Sequence, residues 1–191
     1  MLRHATFLNE TQSNKSSMEE IALIKQCIEG NPKAQKALFD MFAPKMYSVC
    51  LRYVKDKMRA EDVLQDALVK VFSKLPEYKF EGVFEGWIRR IVVNTCLDQL
   101  RKDKKLLKEI QVEEVSYRIE QHEFIVEKLM ADDLMKLVQS MPDGYRVVFN
   151  MFAIEGYSHQ EIASALGITE STSKSQYLRA RAYLKDRIEK R

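Results

Sequence analysis

The chain has 191 residues, of which 46% are hydrophobic and 31% are charged, with only 6 glycines and 4 prolines. This composition suits a soluble chain that buries a core in one domain or two small ones, and so few turn-forming residues favour an all-helical fold. The net charge of +3 says little by itself. There is no hydrophobic run that could span a membrane and no signal-peptide core, so we expect a cytoplasmic protein.

Charge is distributed unevenly along the chain. Residues 86–105 hold six basic and two acidic residues, residues 108–133 hold three basic and eight acidic ones, and residues 171–191 hold seven basic and two acidic ones. Two basic segments therefore flank an acidic one. Such segments are typical of polyanion-binding proteins and equally of solvated helix faces, so the charge pattern alone leaves both open.

No pattern of an enzyme or a metal site is present. Cys27, Cys50 and Cys96 lie far apart among apolar residues, which predicts buried thiols in a reducing compartment. We find no Cys/His metal spacing, no Gly-rich phosphate loop and no nucleophile motif, and the three histidines lack plausible catalytic neighbours. His159 is expected only to decorate a helix start. We therefore predict no catalytic residue, no metal and no cofactor.

Helical periodicity begins at Met18, after a polar stretch, residues 1–17, that we predict to be disordered. A first helix is expected to end at Gly30. Asn31 is placed to cap a second helix, and Pro44 within that helix predicts a break or a kink.

Two further helices are predicted from about Arg59 to Leu75 and from about Phe84 to Lys102, separated by a loop with two glycines and three aromatic residues. The second of them carries a polar stripe at i, i+4, i+8 and i+11. Cations beside aromatic residues suit single-stranded nucleic acid, although a solvated face and buried aromatic residues explain the same pattern. The stripe consists of Arg90, Asn94, Asp98 and Arg101.

A helix-turn-helix is predicted near the C-terminus. Ser158 and Glu161 match a capping box, Gly167 permits a sharp left-handed turn, and Thr169 can cap the next helix. The second helix of such a motif enters the major groove of DNA.

A helical wheel of this last helix separates a core face from a face of small hydroxyl and basic side chains. Small side chains permit close approach to DNA, hydroxyls bind phosphate, and Arg or Lys can read guanine edges. The core face consists of Ser173, Tyr177, Ala180, Leu184 and Ile188. The opposite face and its flank consist of Ser171, Thr172, Ser175, Arg179, Lys174, Leu178 and Lys185.

Three motifs together resemble the extracytoplasmic-function (ECF) sigma factors, the minimal two-domain class of the bacterial sigma-70 family. They are AEDVLQDA at 60–67, FEGWIRRIVVNTCLDQLRK at 84–102 and EGYSHQEIASALGITESTSKSQYLRAR at 155–181. The resemblance covers about residues 18–190. It implies an all-α fold of two small helical domains joined by a flexible acidic linker, the second being a four-helix domain with the helix-turn-helix.

The resemblance also implies a division of the chain and a function. Residues 18–104 are similar to sigma region 2, residues 105–126 to the linker, and residues 127–191 to sigma region 4. The chain is then expected to bind core RNA polymerase and promoter DNA, and an anti-sigma factor is expected as a further partner.

Site residues follow from the same resemblance. Binding to the core polymerase is implied for Asp56, Glu61, Asp62, Gln65 and Asp66. Single-strand recognition of the minus-10 element is implied for Lys79, Phe80, Phe84, Arg90, Asn94, Asp98 and Arg101. Major-groove recognition of the minus-35 element is implied for Ser171, Thr172, Lys174, Ser175, Leu178 and Arg179.

Two positions depart from the family pattern. Ser173 stands where Val is frequent in the family. Gln176 stands where Arg is frequent, and this replacement is expected to remove one phosphate contact.

The alternative function is a helix-turn-helix regulator that binds duplex DNA as a dimer and is not a subunit of RNA polymerase.

Overall fold

The computed structural model describes residues 18–102 and 131–190. Residues 1–17, which were predicted to be disordered, lie outside the described residues. The predicted linker at 105–126 and the predicted start of the second domain at residue 127 lie outside them as well. Every regular element in the two described stretches is helical, as the composition predicted. None of the helices in these stretches combines the length and apolarity needed to cross a membrane.

Eight α-helices are described. In the N-terminal half, α1 spans 18–28, α2 Pro32–Tyr53, α3 Lys57–Lys74 and α4 Phe84–Lys102, and a 3-10 turn, Leu75–Glu77, follows α3. In the C-terminal half, α5 spans Ala131–Ser140, α6 Asp143–Phe149, α7 His159–Leu166 and α8 Glu170–Glu189, and α6 continues into a π-helical turn, Asn150–Ile154.

The capping predictions for α2 are confirmed, and of the break or kink predicted at Pro44 the break does not occur. Gly30 has φ 82°, and the Asn31 side chain accepts hydrogen bonds from the backbone N–H groups at positions 33 and 34. The helix continues through Pro44, so the expected break is absent. A proline removes one intrahelical hydrogen bond. The carbonyl that loses it belongs to Asp40, an exposed residue that water can reach.

The core extends through both halves of the molecule. Helices α2, α3 and α4 pack against one another, and α6 and α7 pack against α8. The larger hydrophobic cluster joins residues of α1–α4 to residues of the C-terminal half, namely Val147, Val148, Met151, Ile162 and Leu166. A smaller cluster lies within the C-terminal half. The three cysteines are free and buried, as predicted.

Candidate nucleic-acid and polymerase interfaces

The turn of the helix-turn-helix is built by three local devices. Ser158 and Glu161 form a reciprocal capping box, in which Ser158 N–H donates to Glu161 Oε2 (2.8 Å) and Glu161 N–H donates to Ser158 Oγ (3.2 Å). The hydrogen bonds from Ser158 hold the pKa of the Glu161 carboxyl below its usual value. Gly167 has φ 66°, and Thr169 Oγ1 accepts from Thr172 N–H (3.0 Å). The predicted turn and caps are confirmed.

The predicted minus-35 residues lie on the first turns of α8, outside its core face. Ser171 and Lys174 are exposed, and the other four are partly exposed. Lys174 forms an ion pair with Glu170 (2.7 Å) on the same helix. Ser175 Oγ donates to the Thr172 carbonyl (3.0 Å). The exposed part of this surface therefore combines hydroxyls and a lysine at a helix N-terminus, a combination suited to phosphate.

Two polar residues of α8 face inward. Ser173 is fully buried, in agreement with the wheel. Gln176 is fully buried as well, so the expectation that an exposed phosphate contact is lost at this position is wrong. Gln176 follows Ser173 by three residues, a rotation of 300° around the helix axis, so the two positions are 60° apart. Gln176 therefore lies at the edge of the core face.

His159 takes part in the packing between α7 and α8. Its Nδ1 shares a hydrogen bond with Ser173 Oγ (2.9 Å), and its ring stacks on Phe152 with centroids 4.2 Å apart. Burial lowers the pKa of His159, and nearby Lys174 lowers it further. The prediction that His159 only decorates a helix start is wrong. The sequence contained a signal for this contact, because the wheel places Ser173 on the core face and a buried hydroxyl requires a hydrogen-bond partner.

The aromatic loop before α4 divides into a buried and an exposed part. Phe84 is 1% exposed and packs against Phe42, Tyr78 and Trp87 with ring centroids 5.0–5.7 Å apart. Its ring belongs to the core and is not accessible to a base, so Phe84 is removed from the minus-10 set. Phe80 is exposed and has φ 58°, a strained conformation for a residue with a side chain.

The polar stripe of α4 is exposed at all four predicted positions. Asp98 accepts a hydrogen bond from Arg101 Nη1 (2.8 Å) and lies 3.6 Å from Lys70 Nζ. Arg101 Nε donates to the carbonyl of Ala165 in α7 (3.0 Å). One end of the stripe is therefore in contact with the helix-turn-helix.

The outer surface of α3 combines acidic and apolar side chains, and we call it the α3 face. Glu61, Asp62, Gln65 and Asp66 are exposed, and next to them Met58 and Val69 are 76% and 69% exposed. Asp56 is exposed too, but its side chain caps α3 by accepting from Arg59 N–H (2.8 Å). Large exposed apolar residues beside charges are typical of protein docking surfaces.

Residues 38–106 match the model of sigma-70 region 2, and residues 131–184 match that of sigma-70 region 4. The chain therefore belongs to the sigma-70 family, and several of its relatives are ECF RNA polymerase sigma factors. It is 30% identical to the ECF RNA polymerase sigma factor SigE of Mycolicibacterium smegmatis, over 78% of this chain and 59% of that protein. It is 26% identical to SigW of Bacillus subtilis, over 86% of this chain and 94% of that protein.

One match among solved structures is a co-crystal structure of the sigma factor RpoE in complex with the anti-sigma factor NepR from Bartonella quintana. The two chains are 21% identical, and the match covers 81% of this chain and 96% of the RpoE chain with a TM-score of 0.49.

Proposed function

We propose that the chain binds core RNA polymerase and directs transcription from specific promoters. Two features on one chain carry the proposal. One is the capped helix-turn-helix, and the other is the polar stripe of α4 beside the exposed aromatic residue Phe80. A regulator that binds only duplex DNA needs the helix-turn-helix and not the stripe. This role consists of binding and positioning, and it assigns no catalytic residue.

The minus-35 element is assigned to α8. Lys174, Ser175 and Arg179 are the proposed base-reading residues, because within the first three turns Ser175 and Arg179 lie opposite the core face and Lys174 lies on the flank of that surface. Ser171 and Thr172 suit phosphate contacts near the helix N-terminus, and Leu178 suits an apolar contact such as a thymine methyl. Replacing Arg179 with Ala should weaken binding by about 1–3 kcal/mol and relax specificity at one base pair. A uniform loss across all sequences would instead assign Arg179 to phosphate.

The minus-10 element is assigned to the loop and the stripe of α4. Phe80 offers an exposed ring on which an unpaired base can stack, and Lys79 beside it offers a charge for the backbone. The stripe Arg90, Asn94, Asp98 and Arg101 provides donors and acceptors for base edges. Phe84 supports this surface from the core, since it packs beneath Tyr78, whose ring contacts Phe80 (5.1 Å).

Core polymerase is assigned to the α3 face. A double charge reversal, Glu61→Lys with Asp62→Lys, should weaken binding to core polymerase at least tenfold, because two favourable charges become two unfavourable ones in the interface. Glu19→Lys with Glu29→Lys, a double reversal of exposed residues in α1 and just after it, is the matched control and should leave binding within about twofold. Equal effects of the two variants would remove the α3 face from the proposal.

One reconstitution decides between the two functions. Purified chain is added to core RNA polymerase and transcription is measured on promoter templates against scrambled ones. Promoter-specific transcripts are expected. No transcripts, together with tight sequence-specific binding by a dimer of the free chain, would favour the regulator. An anti-sigma factor as partner and a cytoplasmic location remain predictions that follow from this role.

A further inference from the structure

A hydrogen bond between polar side chains joins the first residue of α7 to α8. It is shared between His159 Nδ1 and Ser173 Oγ, which lie 2.9 Å apart. Ser173 is fully buried and His159 is half-buried. A polar group that is removed from water and left without a partner is unfavourable, so each of these two groups keeps the other in place. We call these two residues the α7–α8 pair.

Aromatic stacking fixes the direction of this hydrogen bond. The ring of His159 lies on Phe152 with 13° between the ring planes, and Phe152 lies 4.5 Å from the ring of Tyr177 in α8. The imidazole cannot turn without losing this stack, so the direction in which Nδ1 points is set. Hydrogen bonds are directional, whereas an apolar contact at the same place would tolerate a rotation of α8. The α7–α8 pair therefore restrains the rotation of α8 relative to α7.

The cap of α8 acts differently, because its bonds are local. Thr169 Oγ1 accepts from Thr172 N–H (3.0 Å), and the Thr169 carbonyl accepts from Ser173 N–H (3.0 Å). These bonds determine the residue at which α8 begins. They join no second helix, so they leave the orientation of α8 to contacts such as the α7–α8 pair.

The α7–α8 pair lies among the proposed base-reading residues. Ser173 directly precedes Lys174 and Ser175, and Arg179 follows six residues later, about 9 Å along the helix axis. A rotation of α8 by about 15° moves an atom about 5 Å from its axis by about 1.3 Å. A recognition site has to be held within about 0.5 Å of its productive geometry. A small loss of orientation at Ser173 is therefore enough to misplace the reading side chains.

We propose that His159 is a positioning residue for recognition of the minus-35 element. Through Ser173 it sets the rotation of α8, and this rotation determines which base edges the reading side chains reach. The inference rests on the proposed function and deepens it, because it assigns part of the sequence specificity to a residue that contacts no base. Val, which is frequent in the family at position 173, cannot form this hydrogen bond, so the device belongs to this chain's own pair of residues.

Three substitutions in the full chain separate the hydrogen bond from the ring. His159→Phe keeps the stack and removes the bond, and Ser173→Ala removes the bond from the other side. His159→Asn loses the ring but places a hydrogen-bonding atom where Nδ1 was. The matched control is Tyr183→Phe, because Tyr183 Oη donates to the Ser140 carbonyl (2.9 Å) and so joins α8 to α5, ten residues beyond Ser173.

Sequence discrimination is measured with the full chain bound to core RNA polymerase. A duplex that the wild-type complex selects from a randomised minus-35 library is titrated beside its single-base variants. His159→Phe and Ser173→Ala should each lower the preference for the selected duplex at least fivefold, and the double variant should lower it no further. His159→Asn and Tyr183→Phe should keep the preference within about twofold of the wild type.

Two results of these titrations would overturn the inference. Additive losses in the double variant would show that the two residues do not act through one bond. An equal loss on every duplex, with a shallower dependence on salt, would assign His159 to a phosphate contact.

The hold on α8 is also measured without DNA or polymerase. Relative to the amides of α2, hydrogen exchange at residues 170–179 should become at least fivefold faster in His159→Phe and in Ser173→Ala, and should stay within about twofold in His159→Asn. Circular dichroism identifies any variant that has unfolded. Unchanged exchange in the folded variants overturns the inference, and faster exchange without lost discrimination overturns its specificity role.

Failure of the proposed function gives a different result. Faster exchange in a chain that supports no promoter-specific transcription with core polymerase sustains the hold of His159 on α8 and overturns the proposed function instead.

Discussion

At the scale of single residues, His159 is the histidine within residues 18–102 and 131–190, and a pH effect on stability is expected for it. Burial and Lys174 lower its pKa, whereas Glu170 acts in the opposite direction. A group whose pKa is lower in the folded state stabilises the fold above its unfolded pKa, about 6.5, and this contribution is lost as the pH falls through the folded value. The wild-type chain should therefore lose stability between about pH 7.5 and about pH 5.5.

His159→Phe keeps a ring on Phe152 and removes the titrating group, so its stability should change less over the same interval. Urea unfolding at the two pH values measures the difference. Carboxyl groups such as Glu161, whose pKa is lowered, take up protons below this pH interval and so do not contribute to the difference. An equal loss in His159→Phe would refute the assignment.

Phe80 separates stability from function. Its φ of 58° is a strained conformation that glycine adopts without cost. We expect Phe80→Gly to leave the free energy of unfolding unchanged or to raise it by about 1 kcal/mol. The same variant should weaken binding of single-stranded minus-10 DNA by about 1–3 kcal/mol, the contribution of one stacked base.

Gly82→Ala is the opposite control for this loop. Gly82 has φ 74°, and the space into which a side chain would project is open, so a methyl group there adds backbone strain and no clash. Its unfolding free energy should fall by about 1 kcal/mol with little change in DNA binding. If Phe80→Gly destabilised the chain as much as Gly82→Ala, the strain at Phe80 would be offset by its contacts.

At the scale of elements, helix ends were predictable because capping is local. Asn31, Ser158, Gly167 and Thr169 act through groups two to four residues away, and a sequence displays such distances directly. The predicted start of α4 at Phe84 is confirmed, and Lys102 is the last described residue of that stretch. The burial of Gln176 was not predicted, because a wheel gives an angle but not the width of the core face, which is set by the helices that pack against it.

Asp56 shows that one residue can carry either of two roles, which a pair of variants separates. The carboxylate caps α3, and the family resemblance assigns it to polymerase. Asn retains capping ability and loses charge, whereas Ala loses both. We expect Asp56→Ala to lower the free energy of unfolding by about 1 kcal/mol. Asp56→Asn should preserve stability and bind core polymerase within about twofold of the wild type. Weaker binding by the Asn variant at unchanged stability would assign the charge to the interface.

At the scale of the whole molecule, the sequence predicted two helical domains and left their relative placement open. The reason lies in the groups that join them. The carbonyls of Leu51, Arg52 and Tyr53 are backbone atoms, which every residue possesses, and their partners follow about 90 residues later. No periodicity or motif marks such a pairing. The polar residues Arg146 and Asn150 within apolar helices were the visible signal, since buried polar groups require partners.

The packing of the two halves against each other makes a prediction about promoter DNA that concerns both halves together. Because about 40 Å of protein cannot bridge about 85 Å of duplex, the free chain should gain nothing from a second element. Its affinity for DNA with a minus-35 element and a melted minus-10 element should lie within about twofold of its affinity for the tighter single element.

With core polymerase present, the two elements should act together, because linked binding sites raise the effective concentration of the second contact. Removal of either element should then weaken binding at least tenfold. Both measurements are titrations of labelled DNA at one fixed salt concentration, since phosphate contacts depend steeply on salt. A free chain that bound the two-element DNA tenfold more tightly than either single element would contradict this expectation.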